Sequence, residues 1–105
     1  MGVERTVNFP VAVPTWAKVQ ELLKTAGEMP IIRMIDGLPA FPDEIPEEGW
    51  KELRVTLSGG MITIRKAAQQ VKCVTWGTQD AALEKSWQKL CEAWATAGNG
   101  QINES

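Results

Sequence analysis

The sequence predicts an α+β fold: a two-layer sandwich with two helices packed on one face of a mainly antiparallel sheet. Three observations lead there. A segment near the start alternates apolar and polar residues at period two. Two longer segments carry apolar residues at helical spacing. Between them, glycine-bearing turn signals divide a run of short strands into a meander.

Val7, Phe9, Val11 and Val13 alternate with Thr6, Asn8, Pro10 and Ala12, which describes a strand with one buried face. Pro10 cannot donate to a ladder, so this strand is expected at a sheet edge or broken by a bulge. Helix one is expected over residues 15–26. Thr15 caps it, Trp16, Val19, Leu22, Leu23 and Ala26 share one face, and Gly27 ends it. A strand follows over 31–35, and Asp36-Gly37 turns the chain. The stretch 38–49, with Pro39, Pro42 and Pro46, reads as a long loop with a short strand near Ala40 and Phe41. Strands are expected over 52–57, 61–66 and 71–76. Gly77 and Thr78 then open a last helix, whose stripe is Leu83, Trp87, Leu90, Cys91 and Trp94 and whose end is Gly98. The order is β-α-β-β-β-β-α. Residues 1–98 form the single domain, and the polar tail 99–105 is expected to fray.

Composition narrows the function classes. A chain of 105 residues can bury one core without staples. The net charge of −2 argues against nucleic acid as a partner, since such binding rests on a basic surface. No apolar run is long enough to span a bilayer, so no membrane association is expected. Cys73 and Cys91 belong to no CxxC pair, and they read as reduced core thiols of a cytoplasmic protein. The chain has no histidine, which removes Ser-His and Cys-His nucleophile activation and the usual histidine metal sites. No cofactor motif is present. Asp43, Glu44, Glu47 and Glu48 crowd one loop, but their spacing matches no EF-hand and the prolines stiffen it wrongly, so no metal site is expected.

Strand register points to one surface. A two-residue turn at Gly59-Gly60 places Leu57 opposite Ile62 and Val55 opposite Ile64, with all four on one face. The other face then sets Arg54 beside Arg65 and Thr56 beside Thr63. The next turn sets Arg65 opposite Lys72, Thr63 opposite Val74 and Met61 opposite Trp76. Arg54, Arg65 and Lys72 would form one cationic row. Like charges so placed cost roughly a few tenths of a kcal/mol, so something should offset them. Either the side chains splay into water with the 43–48 carboxylates folded over them, or the row receives an anion or an acidic partner. Trp16, Trp87 and Trp94 fit core stripes. Trp50 and Trp76 stand apart, as partner anchors or as residues packed under the acidic loop.

The function expected first is a non-enzymatic binding module. Its outer sheet face carries Arg54, Arg65, Lys72, Met61 and Trp76, with Trp50 beside it, and its partner is an unknown protein or an acidic ligand. Homodimerisation through an unpaired strand edge and this part-apolar face accompanies that reading. The alternatives are a small-ligand carrier or sensor with a Trp/Met-lined pocket between helices and sheet, and an enzyme built on the 43–48 carboxylates.

Overall fold

A computed structural model describes residues 2–76 and 80–104. The strands are β1 (Gly2–Asn8), β2 (Ile31–Ile35), β3 (Leu38–Pro39), β4 (Glu52–Leu57), β5 (Gly60–Lys66), β6 (Gln70–Trp76) and β7 (Gln101–Glu104). The helices are α1 (Trp16–Thr25), after β1, and α2 (Ala81–Gly98), before β7. One antiparallel seven-stranded sheet runs β3-β2-β4-β5-β6-β1-β7. The expected element order holds, with two short strands added to it.

The helix ends follow local chemistry. The Thr15 hydroxyl accepts from Lys18 N–H, Ala26 closes the last turn, and Gly27 takes φ 88°. The expected opening of α2 at Gly77 and Thr78 lies outside the described residues. The helix begins at Ala81, where Asp80 accepts from Leu83 N–H at 2.8 Å, and Asn99 ends it in the left-handed region at φ 54°. Asp36 and Gly37 both have positive φ, which suits the two-residue turn joining β2 to β3.

Both helices pack on one sheet face, and their residues share one core with the strands. Val19 and Leu23 of α1 meet Leu83, Trp87, Leu90 and Trp94 of α2 above Leu53, Val55, Ile62, Ile64 and Val71. Leu22 is partly buried at its margin. Cys73 stands opposite Ile64 and points inward, as expected, and Cys91 is buried with it. Hydrogen bonding to the Cys91 thiol and complete burial push the Cys73 thiol well above its ordinary pKa.

Three expectations need correction. β1 is not an edge strand. It ends at Asn8, ahead of Pro10, and lies between β6 and β7. The alternation that suggested a longer strand stops being structural at Val11, which is exposed. The tail expected to fray forms β7, which pairs antiparallel with the free side of β1. The edges are therefore β3 and β7, of 2 and 4 residues, and Pro39 further blunts the first. Edges this short, one of them bearing a proline, resist the edge-to-edge pairing expected for a homodimer.

Buried polar groups lock the layers together. Glu28, 3% exposed, accepts from Ser58 N–H and Ser58 O–H at 2.9 Å and from the Ser86 hydroxyl at 3.2 Å. The Lys89 ammonium lies 3.8 Å from it. This junction joins the exit of α1 to the β4–β5 turn and to α2. Arg5 does similar work across the sheet: its guanidinium lies 4.0 Å from the Trp87 ring, reaches Gln88 Oε1 and pairs with Glu84.

The β4–β5 turn passes so close to α2 that only glycine fits at position 59. An added Cβ would strike the Ala82 carbonyl and sit 2.7 Å from Leu83 Cα. Gly59→Ala should therefore lower stability by about 1–3 kcal/mol in urea denaturation, the usual cost of overpacking. A loss below roughly 0.5 kcal/mol would show that the turn and α2 are not in rigid contact.

Candidate binding face

The β4–β5 turn is a two-residue turn, but its centre is Ser58-Gly59 rather than Gly59-Gly60. Leu57 pairs with Gly60, Val55 with Ile62 and Leu53 with Ile64. The slip relative to the expected register is by two positions, so every side chain keeps its expected face and only the rows change. The contact of Gly59 with α2 sets this choice, and it has no signature within the hairpin itself.

The face away from the helices carries three rows. Glu52, Arg65 and Lys72 stand side by side, continuing to Thr6 of β1. Arg54, Thr63 and Val74 form the next row, ending at Glu4. Thr56 and Met61 begin the third, and the same register carries it towards Trp76. The expected row of Arg54, Arg65 and Lys72 is thus corrected. Arg65 and Lys72 are neighbours, while Arg54 is displaced diagonally and faces Thr63.

Glu52 provides the offset that like charges require. Its Oε2 accepts from Arg65 Nε at 3.2 Å, and its Oε1 lies 3.7 Å from Arg54 Nε. Among the described residues no carboxylate of the 43–48 loop pairs with Arg54 or Arg65, and Glu52 serves both guanidiniums. Among the described residues Lys72 pairs with no carboxylate. Arg33, displaced by a bulge between Ile32 and Met34, adds a further guanidinium, donating to Thr56 Oγ1 at 3.1 Å. The sequence contained a cue to Glu52: it sits two positions before Arg54 on one strand, so both must share a face.

Trp76 crosses this surface. Its Nε1–H donates to Thr63 Oγ1 at 3.2 Å, and the Arg65 guanidinium lies 5.8 Å from its ring. Thr63 and Val74 are buried although no helix lies on their side of the sheet. Trp76 itself stays 53% exposed and Met61 51% exposed. An indole held at both its N–H and its face, yet half open, is a preorganised contact surface.

Trp50 does not join it. Trp50 N–H donates to the Glu47 carbonyl at 3.0 Å, which turns the chain inward, and the ring packs 6.2 Å from that of Trp94 in the core. It contributes instead to a second concavity, a cleft of about 500 Å³ between the start of α1, the acidic loop and the β5–β6 turn. Trp16, Trp50, Val13, Ile45, Pro46 and Lys66 line this cleft. No methionine does, contrary to the expected Trp/Met lining. The Lys66 ammonium lies 4.3 Å from the Trp50 ring and donates to the Glu48 carbonyl. Burial lowers its pKa, and the Glu48 and Asp36 carboxylates limit that shift.

Among the described residues no cluster of His, Cys, Asp or Glu is arranged to hold a metal ion, and no helix is long and apolar enough to cross a membrane. Comparison with known proteins gives no match: no family model, no curated protein and no solved structure matches this chain.

Proposed function

We propose that the chain is a non-enzymatic, cytoplasmic binding module that engages an acidic partner through its outer sheet face. The observation carrying this reading is Trp76: a half-exposed indole tethered to Thr63 and flanked by Arg65 and Met61, where the other described tryptophans are buried. Tryptophan and arginine are the residues most enriched at energetic centres of interfaces. Arg54, Arg65 and Lys72 outnumber the two carboxylates of the face, Glu52 and Glu4, so the face favours negative charge. The cytoplasmic assignment draws support from Cys73 and Cys91, buried and unbridged.

Displayed random peptides test this. The chain should enrich acidic peptides bearing large apolar side chains. Trp76→Ala should weaken the enriched peptide roughly 30-fold, the scale of a hot-spot truncation, while stability falls by no more than about 1 kcal/mol. Arg65→Ala should weaken it too, and added salt should weaken the wild type. Peptides whose affinity ignores both substitutions would remove the face from the account.

One observation favours a second reading, a small-ligand carrier: the cleft beside Trp16 and Trp50 is large enough for a small organic molecule. Its ligand would perturb those two indoles and leave Trp76 unchanged.

A further inference from the structure

We propose that the occupant of the outer face is a second copy of this chain, docking through its own acidic loop, residues 38–48. This rests on the reading above and names the partner.

The loop has the chemistry that the face lacks. Leu38, Phe41 and Ile45 are 69%, 74% and 69% exposed, left largely uncovered by the described residues. Asp43, Glu44 and Glu47 lie among them, all exposed and none in an ion pair among the described residues. The face presents the converse: Trp76 and Met61 as apolar ground, with Arg54, Arg65 and Lys72 around them. Apolar side chains rimmed by carboxylates meet an aromatic surface rimmed by cations, which is electrostatic complementarity between two parts of one molecule.

The loop is also already folded, so little ordering entropy opposes docking. Pro39, Pro42 and Pro46 restrict it. Ala40 N–H donates to the Arg33 carbonyl at 3.1 Å, Ile32 N–H to the Pro42 carbonyl at 3.3 Å, and Phe41 N–H to Glu44 Oε1 at 3.2 Å. These bonds hold it at the β2–β3 side of the sheet, with β4 and β5 between β2 and β6. Within one copy Arg54 and Arg65 take Glu52 instead. Contact between different patches on identical chains is heterologous. It does not close on itself, so association should run beyond a pair.

Sedimentation velocity between about 10 and 500 μM, the range of weak association, tests this with full-length chains. The wild-type mass should climb past two copies without a plateau, and salt should reverse it. Trp76→Ala with Arg65→Glu disables the face, while Phe41→Ser with Ile45→Ser disables the loop. Each variant alone should be monomeric, and an equal mixture should form a pair and stop there. Asp43→Lys with Glu47→Lys, at exposed positions, gives a second loop variant if the apolar changes disturb folding, and should behave the same way. A wild type that stays monomeric overturns the proposal, as does a loop variant that still self-associates. If the chain is monomeric yet enriches acidic peptides in a Trp76-dependent way, the face reading stands and the second copy alone is excluded. If Trp76 affects neither, both fall.

Discussion

Truncating Trp87 to alanine should cost about 3–5 kcal/mol, as large buried-to-alanine changes do. Trp87 is 2% exposed, and its removal affects more than volume. Its Nε1–H donates to the Cys73 carbonyl at 3.0 Å, and its ring faces the Arg5 guanidinium at 4.0 Å. Alanine leaves a cavity between α2 and β6, a carbonyl without that donor, and a 9%-exposed cation without its aromatic face. Domains of this size are stable by about 5–15 kcal/mol, so the variant should unfold at much lower urea or not fold at all. Trp87→Phe keeps most of the packing and should lose roughly 1–2 kcal/mol, chiefly the hydrogen bond. A loss below roughly 1 kcal/mol for Trp87→Ala would contradict the packing of α2 on the sheet.

Glu28→Ala should cost about 2–4 kcal/mol, because it removes the buried acceptor of the Ser58 N–H and of the Ser58 and Ser86 hydroxyls, and the carboxylate beside the Lys89 ammonium. The pH dependence separates this from simple loss of packing. Burial alone would raise the Glu28 pKa. The Ser58 N–H, the Ser58 and Ser86 hydroxyls and the Lys89 charge outweigh it, and the folded value lies below the ordinary 4.5. A depressed folded pKa means that the unfolded chain takes up the proton first. The junction thus contributes fully above about pH 4.5 and loses its contribution as pH falls through the folded pKa. Denaturation curves from neutral pH to about pH 3 should show an acid-induced loss in the wild type that is smaller in Glu28→Gln. Equal losses would place the acid sensitivity elsewhere.

Helix α1 is legible almost to the residue because its signals are local: Thr15 caps, the apolar stripe repeats, and Gly27 accepts a positive φ. The sheet faces are legible for the same reason, since alternation at period two fixes the side of each residue whatever its partner. The rows are not. They depend on a slip of two positions set by Gly59 touching α2, a contact across more than twenty residues of chain. Strand β7 escaped because its polar sequence has no apolar alternation; β1 recruits it by offering a free edge. Glu28 looks like a surface residue between Gly27 and Met29, and only the arrival of Ser58 and Ser86 makes its burial tolerable. Of the candidate site, Met61, Arg65, Lys72 and Trp76 follow from face parity, Arg54 falls on the right face in the wrong row, and Trp50 leaves the face because a loop turns it inward.

Where a bound acidic peptide lands tests the outer face most directly. Tryptophan indole N–H signals report this in a nitrogen–proton correlation spectrum, and the chain has five such groups to distinguish. On titration with the peptide enriched above, the Trp76 indole and the Met61, Thr63 and Arg65 amides should shift together, while the Trp16 and Trp50 indoles stay in place. Shifts confined to Trp16, Trp50 and Lys66, with Trp76 unmoved, would contradict the outer face as the binding surface and assign binding to the cleft.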